Sequence, residues 1–171
     1  MFAPFSLHQL REHRFAAKLR ALVLTQLPIE PRTLLAKEQH LISVLLSISN
    51  SQQRLATIVE HARRRAPLDP ALRNEANRVQ GCLVRTWFVA ELRGGNCFFH
   101  ADSDAVTLKA LLGLLCDVYS GFSPDEIAMT SPDILQRLGV THQLAENRHR
   151  TVLRVAAQIQ DFAQQQLREA A

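Results

Sequence analysis

Apolar positions recur at helical spacing along most of the chain. Leu7, Leu10, Phe15, Leu19, Leu22 and Val23 give the first segment one apolar face, and Pro28 and Pro31 break it. Thr33 to Ser49 reads as a second helix, with Leu34, Leu41, Val44, Leu45 and Ile48 on one side. Asn50 and Ser51 are N-cap residues for a third, whose apolar positions are Leu55, Ile58, Val59 and Ala62. Arg63-Arg64-Arg65 suits the carbonyl end of its dipole. Pro67 and Pro70 mark a loop running to Arg78.

The period then changes. Leu83 to Leu92 is rich in Val, Thr, Trp and Phe; Val84, Phe88, Ala90 and Leu92 alternate to one face, with Arg85, Glu91 and Arg93 on the other. Gly94-Gly95-Asn96 predicts a hairpin, Cys97 to His100 its returning strand, and Val79-Gln80 a short third pairing. Ser103 or Asp104 then caps a helix reaching about Tyr119. Its Val106, Leu108, Leu111, Leu112, Leu114, Leu115 and Val118 are apolar nearly all round, as expected of a central buried helix. Gly121 ends it. Ser123-Pro124-Asp125-Glu126 and Ser131-Pro132-Asp133 each start a short helix. Asn147 opens a last long one through Val152, Val155, Ile159 and Phe162. The expected fold class is α+β, a small antiparallel sheet of about three strands packed against several helices. Residues 1–40 read as an N-terminal helical extension and 41–171 as the main domain.

Composition narrows the function classes. The chain has 171 residues, 47% hydrophobic and 21% charged, with a net charge of +4. Its arginines are scattered, its aromatic content is 6%, and no stacking platform is visible, so solvated basic faces explain the charge better than nucleic acid does. No apolar run reaches the roughly 18 residues of a membrane span. The first 27 residues lack the apolar core of a secretory signal. They place Glu12 among Arg11, Arg14, Lys18 and Arg20, a presequence-like pattern that we read as an extra amphipathic helix. Three cysteines without a C-x-x-C pair point to a reducing compartment, and a cytoplasmic location is expected. Cys97-x2-His100-x-Asp102 lacks a second pair at zinc spacing, Ser103 has no Gly-x-Ser-x-Gly around it, and no glycine loop cradles phosphate. No metal or cofactor of the chain's own is expected.

One cysteine remains as candidate chemistry. Cys82 follows Gly81 and is flanked in sequence by Arg78 and Arg85. A thiol that exchanges sulfur needs a loop position, backbone freedom beside it, and positive charge that favours the thiolate. Cys97, on the returning strand, and Cys116, on the apolar helix, read as core residues.

Gly81-Cys82-x4-Trp87, a hairpin, then Asp102-Ser103-Asp104-Ala105 opening a buried helix resembles the SufE/CsdE family. Leu55-Ala-Thr-Ile58-Val59-Glu60 followed by Pro67-Leu68 is similar upstream. Ser123-Pro124-Asp125-Glu126-Ile127 and Leu138-Gly139-Val140-x3-Leu144-x3-Arg148 match downstream, so the resemblance covers roughly Leu41 to Phe162. It implies an α+β fold related to the iron–sulfur scaffold proteins. It also implies a sulfur acceptor that stimulates a cysteine desulfurase of the SufS/CsdA type and delivers sulfur to an iron–sulfur scaffold or another acceptor. Pyridoxal phosphate would belong to the desulfurase, and the chain would be a transfer partner more than a free-standing enzyme. The persulfide would form on Cys82, with Gly81 giving the loop its freedom. Asp104 would lie close to the cysteine loop, and Arg148 would engage the desulfurase. The chain departs from the family at Leu83-Val84, where polar residues are usual, and at Asn147-Arg148-His149-Arg150, which lacks a glycine. Two rivals stand beside this reading: a non-covalent desulfurase regulator of the same fold, and a basic nucleic-acid-binding domain.

Overall fold

The structure, a computed structural model, describes residues 33–170. The expected helix over Leu7 to Val23, its break at Pro28 and Pro31, and the presequence-like pattern lie outside the described residues.

Helix α1 (Leu34–Leu46) runs unbroken through residue 40. Thr33 caps it, its hydroxyl accepting from the Ala36 N–H, and Leu34, Glu38, Ile42 and Leu45 form its buried stripe. Helix α2 (Ser51–Ala62) starts as expected at Asn50, whose side-chain oxygen accepts from the Gln52 and Gln53 N–H groups.

The hairpin consists of β1 (Thr86–Arg93) and β2 (Asn96–Ser103), in register from Thr86↔Ser103 to Arg93↔Asn96. Gly94 and Gly95 turn it at φ of 56° and 82°, the double positive φ that a two-residue hairpin turn of matching twist requires. Among the described residues the regular sheet has two strands, not three. The third pairing shrinks to a bridge at Arg78↔Trp87, one residue before the expected Val79-Gln80, and a bridge at Cys97↔Phe122 closes the opposite edge. The strand also begins at Thr86 and not Leu83, because the β2 ladder ends at Ser103 and Gly81 turns the chain away at φ 69°. Alternation along the hairpin follows the sequence. Phe88, Ala90 and Leu92 share a face with buried Phe99 and Cys97, and Phe99 stacks on Phe88 and meets Phe162 edge-on.

Helix α3 (Val106–Tyr119) is the centre of the core: Leu108, Leu111, Leu112 and Leu115 are fully buried, each worth about 1.5–3 kcal/mol of burial. It packs against β2 and α2. Neither Ser103 nor Asp104 is its N-cap. Ala105 holds that position without a side-chain cap, and Ser103 serves the approach, its hydroxyl accepting from the Ala105 N–H. Helix α4 (Pro124–Ala128) is capped by Ser123, whose hydroxyl accepts from the Glu126 N–H, and α5 (Ile134–Arg137) follows Asp133. The 25-residue α6 (Glu146–Ala170) begins one residue before Asn147. It buries Thr151, Val152, Val155, Ala156, Ile159 and Ala163 against α3, α4 and β1. Among the described residues no helix is long and apolar enough to cross a membrane.

Candidate functional site

Cys82 sits in a closed loop between two fixed ends. On the near side the Val79 N–H donates to the Thr86 carbonyl (2.8 Å) and the Phe88 N–H to the Asn77 carbonyl (2.9 Å). On the far side the Asp104 N–H donates to the Arg85 carbonyl (3.0 Å). The stretch from Gln80 to Val84 spans these anchors without regular structure. Gly81 turns it in the left-handed region, and a Cβ there would lie 2.6 Å from Arg154 Nη1. Gly81 is thus required by its φ, and any side chain there would displace the Arg154 guanidinium packed on it.

The loop lies on α6. Arg154 Nη1 donates to the Gln80 carbonyl (2.8 Å). Thr151 Oγ1 is 3.2 Å from Cys82 Sγ and 3.0 Å from the Asn147 carbonyl oxygen. Its single proton serves one of those acceptors at a time; while it is on the carbonyl, Oγ1 can accept from the thiol. The sulfur is consequently half-buried, whereas its neighbour Leu83 is 83% exposed.

The two arginines that flank Cys82 in sequence turn elsewhere. Arg78 pairs with Glu75 (3.1 Å), and Arg85 Nε with Asp104 (2.7 Å). The guanidinium against the cysteine loop belongs instead to Arg154, which sequence reasoning missed along with Thr151. Thr151 lies three residues from Arg148, so the helical neighbour of Arg148 would have found it, and Arg154 is the next such step from Thr151. Arg148 is half-buried in the first turn of α6 and forms no ion pair among the described residues.

Asp104 is a clamp. Its carboxylate accepts from Arg85 Nε and from Arg73 Nη2, each at 2.7 Å. Arg73 also covers the Trp87 ring at 4.3 Å and approaches the buried Asp102, which Lys109 pairs at 3.1 Å. The cysteine loop, the turn before it and the start of α3 are thereby tied at one point. Arg73 carries no sequence signal for this role, since the pairing spans 31 residues.

The other two cysteines are closed off, Cys97 at 0% exposure and Cys116 at 2%. Burial pushes the Cys97 thiol up and the Cys116 thiol up to about 12. Cys97 faces the helices, while His100 and Asp102 lie on the opposite face of β2.

The family profile described as SufE, an Fe-S metabolism associated domain, matches residues 39–163. An uncharacterized SufE-like protein of Synechocystis is 28% identical over 100 residues, 58% of this chain and 63% of that protein. The SufE-like protein 1 of Arabidopsis thaliana, named as chloroplastic/mitochondrial, is 29% identical over 130 residues, 74% of this chain and 34% of the relative. A chloroplastic quinolinate synthase of the same plant is 31% identical over 105 residues, 61% of this chain and 15% of the relative. The chain spans less than two thirds of these relatives' own lengths. A hypothetical protein from Thermus thermophilus, solved in solution, shares the fold with a TM-score of 0.63 at 22% identity, covering 77% of this chain and 96% of the other. With most of its length inside the profile, the chain belongs to the SufE family, a family of iron–sulfur metabolism.

Proposed function

We propose that the protein is a sulfur carrier that takes sulfane sulfur from a cysteine desulfurase onto Cys82 and passes it to an iron–sulfur scaffold or a similar acceptor. One observation carries this reading: of the three cysteines, Cys82 alone is partly exposed and on a loop, while Cys97 and Cys116 are sealed in the core. In the transfer, the Cys82 thiolate attacks the outer sulfur of the desulfurase persulfide. A new S–S bond forms on Cys82 and the donor's S–S bond breaks, releasing the donor cysteine as a thiolate. Nothing is oxidised or reduced overall, and pyridoxal phosphate stays with the desulfurase. Asp104 fixes the loop's far anchor, and Arg148 offers its cation to an acidic partner surface. A reducing compartment such as the cytoplasm suits three free thiols.

The test is mass spectrometry after incubation with a desulfurase and cysteine. We expect a gain of one sulfur mapped to Cys82, and Cys82→Ser to lose both the gain and all stimulation of the desulfurase. Stimulation retained by Cys82→Ser would replace the carrier reading with a non-covalent regulator.

A further inference from the structure

We propose that Thr151 and Arg154 form a latch on α6 that holds the Cys82 loop against the helix, and that release of this latch exposes the sulfur. The latch's purpose rests on the carrier reading, but its geometry stands apart from it. The loop's ends are fixed by backbone bonds to Thr86 and Asp104 whatever its middle does. Among the described residues, two polar contacts hold the middle to the helix: Arg154 on the Gln80 carbonyl and Thr151 on the sulfur itself. Thr151 and Arg154 are three residues apart, hence on one face of α6. Breaking both contacts releases residues 80–83 from the helix, while the Thr86 hydroxyl still holds the Val84 carbonyl at 3.1 Å and the hairpin and helix keep their own bonds.

Thr151 is buried and its own backbone is helical, so its hydroxyl is a fixed post with a rotating proton. Arg154 is exposed apart from its packing on Gly81, so it can be drawn away. Arg148 lies six residues back, about 9 Å along the axis and about 120° round it from Arg154, with Thr151 between them. An acidic surface docked on Arg148 reaches toward Arg154, and a carboxylate is a stronger acceptor for a guanidinium than a peptide carbonyl. Docking and exposure would then be coupled through the first turns of one helix. Thr151 and Arg154 are positioning residues here.

Iodoacetamide labelling of the full chain, read by peptide mass, tests the latch without a desulfurase. When opening is fast relative to labelling, the rate follows the open fraction. Thr151→Val and Arg154→Gln should each speed labelling of Cys82 about two- to tenfold, the population change expected for one lost hydrogen bond. Thr151→Ser, which keeps the hydroxyl, should stay near wild type. Cys97 and Cys116 report global opening and should label as slowly as before. Either variant leaving Cys82 at the wild-type rate overturns the latch, as does equal acceleration at all three cysteines or failure of serine to rescue. If these variants behave as expected but Cys82 gains no sulfur from a desulfurase, the latch stands and the carrier reading falls. If sulfur is gained and the variants are silent, the reverse holds.

Discussion

At the scale of single residues, Gly81 separates conformational strain from close contact. Its φ of 69° costs an L-residue about 1–2 kcal/mol, and a new methyl would also push on the Arg154 guanidinium. Gly94, at φ 56°, carries the strain alone, since nothing lies within 4 Å of its would-be Cβ. Gly81→Ala and Gly94→Ala should therefore lower the urea midpoint by similar amounts, equivalent to about 1–2 kcal/mol each. Only Gly81→Ala should also speed alkylation of Cys82, because only there does the methyl displace a group that holds the loop. Identical labelling of the two variants would show that the guanidinium contact does not restrain the cysteine.

At the scale of elements, the carboxyl end of α2 concentrates charge. Partial covering of the exposed His61 ring first, then the Arg65 and Arg64 guanidiniums, push its pKa below its ordinary 6.5. The folded chain then binds this proton less readily than the unfolded chain does. Stability is complete above about pH 6.5 and falls as pH drops below that value toward the lowered folded one. The urea midpoint should decline less between about pH 7.5 and 5.5 in His61→Gln than in wild type; equal declines would remove His61 from the acid limb. Elements like this one were largely legible beforehand. Asn50 and Ser123 cap helices where their side chains say they should, and the double glycine makes its hairpin, because these are local backbone requirements. What escaped was set by distant partners. Asp104 looks like a helix cap but is turned by Arg73 and Arg85, and the strand start at Thr86 depends on where β2 stops pairing. Arg78 and Arg85 flank the cysteine in sequence, yet side chains as long as theirs follow the nearest carboxylates and not the chain order. The site's true neighbours come from a helix about seventy residues later.

At the scale of the molecule, the packed helices and hairpin carry the cysteine loop, and the buried Glu38 carboxylate ties them together on the side of α1. Glu38 is 1% exposed. It accepts from the Tyr119 hydroxyl at 2.6 Å and from Arg137 Nη1 at 3.0 Å, so α1, the end of α3 and α5 meet on one carboxylate. Burial, and then Glu38 itself, drive the Tyr119 pKa far upward, which favours the phenol as a proton donor to that carboxylate. Tyr119→Phe removes one of the two donors while keeping the ring volume. The loss of a hydrogen bond to a charged, buried group should lower stability by about 1.5–3 kcal/mol, measured by urea denaturation. Among the described residues none of these three side chains hydrogen-bonds to the loop, whose polar contacts run to α6. Cys82 in Tyr119→Phe should therefore label at the wild-type rate under conditions where the chain stays folded. A rate that rose with the loss of stability would mean that the cysteine is uncovered by unfolding of the whole body, and that the loop has no opening motion of its own.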